Sequence, residues 1–420
     1  MRFTTLDEWL SWQETLHPTD IELGLERVAT VFQQLHAENP PFPVITVAGT
    51  NGKGSSVAML EAILLAAGYR VGAYTSPHLL TYNERVRLDG EPVSDALLME
   101  SFARIDDARQ DTSVTYFEFA TLAALDIFYR QAPDVVVLEV GLGGRLDAVN
   151  IIDADVALIT SISVDHAEWL GDEREAIAIE KAGIMRAGRP VVFSGRNMPA
   201  SLAERASTLG AALSVLGRDF DFQIREADWQ WQAGTQPAIV LPHPALAGNH
   251  QFDNAAGVLM VLACLAQQLP VSEQAMQQGL RTVSLAGRFQ IIADDVTWVL
   301  DVAHNPDGVA RLAELLAANP VSGCTLAVIG MMQDKDIPAV IKQLRPEVDA
   351  WYAANLPSPR SAEANVLAQI IRSQTDEVEV VACPDVSAAC KAAKAAAGDD
   401  DRILVCGSFY TVAAALSHSI

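Results

Sequence analysis

Within VITVAGTNGKGSSVAMLEAILLAAGYRVGAYTSPHL, residues 44–79, Lys53 stands among Gly49, Gly52 and Gly54, between a short apolar run and a helical one. Glycines let backbone amides converge on an anion, a helix N-terminus adds a positive dipole, and lysine adds a full charge, so phosphate binding is the chemistry to expect. The general pattern G-x-x-x-x-G-K-[ST] is not met: only Thr50 and Asn51 separate Gly49 from Gly52, and Gly54 intervenes before Ser55. This is a shortened variant of that loop; the bland alternative is a tight turn with a solvated lysine.

Glu139 interrupts VVVLEVGLGGRLDAVN, where an ionised carboxylate is costly unless a cation or donor compensates it. At the carboxyl end of a strand it could hold Mg²⁺ beside a bound triphosphate, or it could pair with Arg145. The glycines that follow do not form a dinucleotide fingerprint, because Leu146 stands where G-x-G-x-x-G needs glycine or alanine. Asp165 and His166 in SISVDHAEWLG sit just past another apolar run, while Lys181 in EKAGIMR reads as an ordinary helical lysine. Further along, DVAHNPDG places Asp301 and His304 at a strand end, and VCGSFYTV places Ser408 before a helix N-terminus suited to a carboxylate.

These residues need a scaffold of strands and helices. Apolar runs at 44–48, 135–141, 155–162 and 190–195 alternate with helical stretches over 55–67, 118–130 and 173–185, which predicts a parallel α/β sheet. Residues 218–245 change to period-two alternation and form a β-rich excursion. A helix follows over 254–268, and 283–292 connects to a second alternation with strands at 297–303, 325–331, 377–382 and 402–408. The alanine-rich AACKAAKAAAGDDD predicts an exposed helix and its end.

A chain of 420 residues, half of them apolar, has room for two or three domains with substantial cores. Its 53 acidic against 29 basic residues, a net charge of −24, argue against a broad nucleic-acid footprint or an anionic membrane surface. Five scattered cysteines without a C-x-x-C pair point to buried thiols in a reducing compartment. No apolar run approaches the roughly 20 residues needed to span a bilayer, and the N-terminus has no signal-like stretch, so the expected location is cytoplasmic.

Together the segments resemble the folylpolyglutamate synthase and dihydrofolate synthase branch of the Mur-type ATP-dependent amide ligases. The likeness runs through ELGLERV (22–28), TVAGTNGKGS (46–55), TSPHL (75–79), TYFEFAT (115–121), LEVGLGGRLDAVN (138–150), SVDHAEWLG (163–171), EKAGI (180–184), GRFQ (287–290), DVAHNP (301–306) and VCGSFYT (405–411). It implies an α/β fold in which residues 1–287 form a P-loop ATPase-type domain, with a mostly parallel sheet, the β-rich excursion and a pterin pocket. Residues 288–420 then form a smaller Rossmann-like α/β domain that binds glutamate.

The resemblance implies that Thr50, Asn51, Gly52 and Lys53 cradle the phosphates of ATP, and that Ser76, Glu139 and His166 hold two Mg²⁺ ions. It implies a carboxylated Lys181 supporting the second ion, and nucleotide contacts from Asn254, Arg288 and Asp301. Glu22, Leu23, Gly24, Leu25, Thr115, Tyr116, Phe117, Glu118, Leu146, Asp147 and Ala148 would line the dihydropteroate pocket. His304 and Ser408 are the candidates for meeting glutamate, and a monovalent cation is a further candidate cofactor. Two positions depart from the family pattern: Glu22 stands where a close relative has aspartate, and Val149 where threonine is usual.

The implied reaction turns a carboxylate into an acyl phosphate at the expense of ATP, and the amine of L-glutamate then displaces phosphate. Dihydropteroate and reduced folates would be the acids, handled by a monomer that engages neither nucleic acid nor membrane. The competing readings are a monofunctional folylpolyglutamate synthase, another Mur-type amino-acid ligase, and a switch that hydrolyses ATP without ligation. The roughly 48 residues before the phosphate loop are too few for the uridine-nucleotide domain expected of a cell-wall ligase.

Overall fold

The computed structural model describes residues 2–19, 21–374 and 378–418. The chain divides into two compact units, Met1–Ala245 with Gln251–Val283, and Leu246–His250 with Ser284–Ile420. Both are α/β.

The sheet of the first unit contains β1 (Val44–Ala48), β2 (Val71–Tyr74), β3 (Val86–Leu88), β4 (Glu91–Pro92), β5 (Val135–Glu139), β6 (Val156–Ile159), β7 (Pro190–Phe193) and β8 (Ala212–Val215). Their order across the sheet is β4-β3-β2-β5-β1-β6-β7-β8, parallel throughout except at the β3 and β4 edge. β1 and β5 are buried along their whole length, because parallel strands covered by helices on both faces have no solvent side. Their register sets Val47 opposite Glu139 on one side and Leu158 on the other. The loops leaving β5, β1 and β6 therefore emerge side by side at one edge, where open α/β sheets bind ligands.

The helix Lys53–Ala66 that follows β1 is buried almost all round, from Ser55 to Leu64. Helix Glu273–Thr282 packs against it so closely that a Cβ on Gly279 would lie 2.5 Å from Ile63 Cα. The expected β-rich excursion is an antiparallel sheet of β9 (Phe220–Ile224), β10 (Trp229–Ala233) and β11 (Ile239–Leu241). Phe220, Trp229, Trp231 and Leu241 are its buried positions, and Trp231 Nε1 donates to Ala256 O at 3.2 Å, fastening the sheet to the helix His250–Cys264.

The second unit has β12 (Gln290–Ala293), β13 (Thr297–Leu300), β14 (Thr325–Ile329), β15 (Ala350–Ala354), β16 (Glu379–Cys383) and β17 (Arg402–Cys406), in the order β12-β13-β17-β14-β15-β16. Only β12 is antiparallel.

β2, β3, β4, β8 and β15 add to the strands expected from sequence, and the connector expected over 283–292 ends in β12. The expected strand over 377–382 is β16; Glu377 lies outside the described residues. β5 and β6 stop two and three residues short of their apolar runs, at Glu139 and Ile159, because the backbone leaves the ladder there to form the ligand-edge loops. The helix expected over 173–185 ends at Lys181 and tightens into a 3₁₀ turn, Ala182–Ile184. The alanine-rich segment is not an exposed helix: Val386–Ala396 buries Val386, Ala389, Cys390 and Ala393, small residues that let it lie close to its sheet. Of the cysteines, Cys324 is exposed, and Cys383, Cys390 and Cys406 are buried. Among the described residues no helix is long and apolar enough to cross a membrane.

The crossing at Gly279 gives a test of the frame. Adding a methyl there forces Ile63 and its backbone aside, so Gly279→Ala should cost about 1–3 kcal/mol, the usual range for overpacking. Chemical denaturation of the purified variant measures the loss.

Candidate active site

Gly52 caps the helix Lys53–Ala66 in a left-handed conformation, φ +90°. A Cβ there would meet Asn254 Oδ1 at 2.4 Å, so glycine also admits this asparagine to the loop. Asn254 is held in turn by Gln251 Oε1 at 2.9 Å. The loop is sewn to the end of β6: Thr50 N donates to Ser161 O (2.7 Å), Thr50 Oγ1 to Ser163 O (2.9 Å), and Thr160 Oγ1 to Asn51 O (2.7 Å). Lys53 curls back over its own loop, Nζ donating to Gly49 O at 3.0 Å and Thr50 O at 3.2 Å.

Lys181 is not an ordinary surface lysine. It is buried, and its Nζ donates to the same Gly49 carbonyl at 3.0 Å. Burial first and the nearby Lys53 charge next push its ammonium down to about 7, against the pull of Asp165 and Asp147.

Glu139, buried at the end of β5, accepts a hydrogen bond from Ser76 N at 3.0 Å. Arg145, the alternative partner weighed for it, pairs with Glu180 at 2.8 Å. His166 stands at the N-terminus of the short helix Ala167–Leu170 with φ +53°, its amide donating to Asp165 Oδ1 at 2.8 Å. Among the described residues no three His, Cys, Asp or Glu side chains gather into a metal cage. The buried Glu139 carboxylate, with Ser76 at the end of the adjacent β2, offers the oxygen donors that a hard divalent ion takes.

The glycine-rich loop after β5 folds over Asp147, whose carboxylate accepts from Leu142 N (2.8 Å) and Val149 N (3.1 Å). Burial pushes Asp147 up to about 6, opposed by these amides and by the charge of Lys53. Leu146 is half-buried and Ala148 buried beside it. Thr115 and Glu118 form a reciprocal N-cap on the helix Tyr116–Gln131, and the Phe117 ring lies 6.2 Å from that of Tyr74. Arg27 joins two of the expected pocket segments. It donates to Glu118 Oε1 at 3.0 Å and to Glu22 O at 3.0 Å, and it pairs with the Glu22 carboxylate, which His17 Nε2 also meets at 2.8 Å. Leu23, Gly24 and Leu25 follow in the half-buried turn so anchored.

In the second unit the ends of β13 and β17 lie side by side. Asp301 is held up by burial, while Arg288 and the amides of Ala303 and Phe289 favour its charge; both amides donate at 2.8 Å. The Arg288 guanidinium stacks on Phe409 at 5.2 Å. His304 Nδ1 donates to Val302 O at 2.9 Å, which fixes that nitrogen as the protonated one and makes Nε2 the acceptor of the neutral ring. Ser408 turns inward as a helix cap: its Oγ accepts from Thr411 N at 3.1 Å and pairs with Thr411 Oγ1 at 2.7 Å.

Sequence reasoning missed Arg27, Thr160, Ser161 and Ser163. It also passed over the T-x-x-E capping-box pattern at Thr115, a local signal. The Arg27 pairing leaves no local signal, since Glu118 is 91 residues away.

The buried Asp147 makes stability depend on pH with a definite sign. Its folded value, about 6, lies above the ordinary 3.8. Its contribution is therefore complete below about pH 4 and lost as the pH rises through 6. The stability advantage of the native chain over Asp147→Asn should shrink by about 3 kcal/mol between those limits, measured by chemical denaturation at stepped pH.

Comparison with known proteins agrees with this arrangement. Residues 47–262 match the Mur ligase middle domain and residues 287–409 the Mur ligase glutamate ligase domain. The dihydrofolate synthase/folylpolyglutamate synthase of Escherichia coli K12 is 45% identical over 408 residues, covering 97% of this chain and 94% of the relative. That of Haemophilus influenzae is 41% identical over 429 residues, covering 97% and 96%. A structure of E. coli FolC in complex with DHPP and ADP superposes with a TM-score of 0.93 at 44% identity, over 99% of this chain and 97% of that one. A bifunctional folylpolyglutamate synthase/dihydrofolate synthase with Mn, AMPPNP and L-glutamate bound gives 0.90 at 46% identity, over 99% and 98%. The variant phosphate loop, the carboxylate on the neighbouring strand and the second α/β unit thus share one explanation: the chain belongs to the dihydrofolate synthase/folylpolyglutamate synthase family of Mur ligases.

Proposed function

We propose that this chain is an ATP-dependent ligase that adds L-glutamate to dihydropteroate, giving dihydrofolate, and to reduced folates, giving folylpolyglutamates. The observation that carries this reading is one sheet edge bearing Lys53 on its phosphate loop, the buried Glu139 on the adjacent strand, and Asp147 within electrostatic reach of Lys53. A nucleotide anion and a neutral heterocycle can be held there side by side.

A carboxylate is a poor electrophile. Its oxygen attacks the γ-phosphorus of ATP, ADP departs, and the resulting acyl phosphate is attacked by the glutamate amine, which loses a proton as phosphate leaves. Thr50, Asn51, Gly52 and Lys53 bind and orient the phosphates, with Asn254 at the loop and Arg288 and Asp301 as further nucleotide contacts. Ser76, Glu139 and His166 are the proposed ligands of two Mg²⁺ ions, which when bound neutralise charge on the transferring phosphoryl group. Asp147 receives N–H groups of the pterin, between the segments 22–25 and 115–118. His304 Nε2 is the proposed acceptor for the ammonium of glutamate, and Ser408 keeps the adjoining helix end in shape. The proposed setting is the cytoplasm and the proposed state a monomer.

Lys181 is the proposed site of a carboxyl group on its side-chain nitrogen. Only an unprotonated amine attacks CO₂, releasing one proton as the carbamate forms, and an ammonium held near 7 supplies that amine at neutral pH. The product would replace one of two crowded cations with an anion. Labelling with carbon-13 bicarbonate should give a carbamate signal that disappears in Lys181→Ala; active enzyme equilibrated with bicarbonate and lacking the signal would remove the idea.

ADP release tests the function itself. It should require L-glutamate and proceed with either dihydropteroate or tetrahydrofolate, and Lys53→Ala should slow both reactions by at least ~100-fold with the fold intact. Release with tetrahydrofolate but never with dihydropteroate would reduce the enzyme to a folylpolyglutamate synthase. Release without glutamate would favour a hydrolytic switch.

A further inference from the structure

The loop that presents Ser76 is shaped by side chains outside every segment assigned so far. Three successive amides of this loop converge on one carboxylate: Leu79 N reaches Glu84 Oε2 at 2.6 Å, and Leu80 N and Thr81 N reach Oε1 at 2.9 and 2.8 Å. Glu84 belongs to the 3₁₀ turn Tyr82–Arg85, which Thr81 caps.

Arg87 grips the other end of the same loop. Its Nη1 donates to Thr75 Oγ1 at 3.0 Å and to the Glu84 carbonyl at 3.2 Å. Its Nε and Nη2 form a fork on Glu61, 3.0 and 2.8 Å from Oε2. Glu61 lies in the helix that begins at the phosphate loop, and its side chain is only 9% exposed against 15% for Arg87. A planar guanidinium fork on a carboxylate fixes direction as well as distance. One connected set of bonds therefore runs from the phosphate-loop helix through Glu61 and Arg87 to Thr75 and Glu84, and from Glu84 to residues 79–81. Ser76 sits between these two holds, with its amide on Glu139.

We infer that Glu84 and Arg87 are positioning residues for the divalent ion: they fix the Ser76 loop against the phosphate-loop helix, so that the Ser76 hydroxyl and the Glu139 carboxylate stand ready before nucleotide arrives. The inference rests on Ser76 and Glu139 as ligands of that ion. Without the clamp, the loop must be ordered at the moment of binding, and affinity falls by the cost of that ordering.

Mn²⁺ binding to the AMPPNP-loaded enzyme, read by electron paramagnetic resonance, tests it directly, alongside amide hydrogen exchange over residues 78–81. Glu84→Gln keeps the size but removes an anionic acceptor; Arg87→Lys keeps the charge but removes the fork. Each should weaken Mn²⁺ binding at least tenfold and speed exchange in the loop, while the global unfolding midpoint stays near that of the native chain. Glu61→Gln combined with Arg87→Lys should lose no more than either alone. Should Glu84→Gln fail to fold, Arg87→Lys carries the same test. Faster exchange with Mn²⁺ affinity within twofold of the native chain overturns the inference. Ser76→Ala and Glu139→Gln separate the two levels: if they too leave Mn²⁺ binding unchanged, the metal reading fails; if they weaken it and the clamp variants do not, only the clamp role fails.

Discussion

Two lysine side chains share one carbonyl oxygen at the sheet edge of the first unit. Lys53 and Lys181 both donate to Gly49 O at 3.0 Å, a gathering of like charge that is costly away from water. Much of the surrounding architecture serves to make it tolerable and useful. Asp147 and Asp165 supply opposing charge to Lys181, whose own ammonium is weakened by burial. Glu139 stands one strand away, opposite Val47. Two routes relieve this crowding of charge: the proposed carboxyl group on Lys181 removes one of the cations, and a polyphosphate on the loop would meet the other.

The constraint explains why the scaffold is rigid where it is. Helix Lys53–Ala66 is buried on nearly all sides and locked against Glu273–Thr282 at Gly279, so Lys53 cannot relax away from Lys181 by tilting its helix. Thr160, Ser161 and Ser163 hold the loop itself, each through hydroxyl or carbonyl groups at the end of β6. The adjustable parts are the side chains and the loops beyond the strand ends.

The legibility of these features in the sequence follows from how local they are. Lys53 among glycines and Glu139 within an apolar strand announce themselves because the residue type conflicts with its immediate surroundings. Lys181 gives no such signal: EKAGIMR reads as a plain helix, and only the packing of that helix against the phosphate loop reveals a buried amine. The Arg27 link between Glu22 and Glu118, and the Arg87 fork on Glu61, depend on which strands and helices become neighbours, which no local pattern encodes. β15 escapes notice for a related reason, since AWYAA is short and rich in alanine, and only its place between β14 and β16 makes it a strand. Ser408 shows the converse, a residue with the right type and position whose hydroxyl the fold turns inward toward Thr411.

The carbonyl shared by two lysines also has a kinetic side, because it lies in a molecule of net charge −24. Beyond a Debye length, about 8 Å at physiological ionic strength, that net charge opposes the approach of an anion, and the loop amides and Lys53 act only at close range. Added salt thus lowers the outer barrier to encounter while barely touching the buried contacts within. Capture of anions at the loop therefore depends on short-range fit more than on long-range steering.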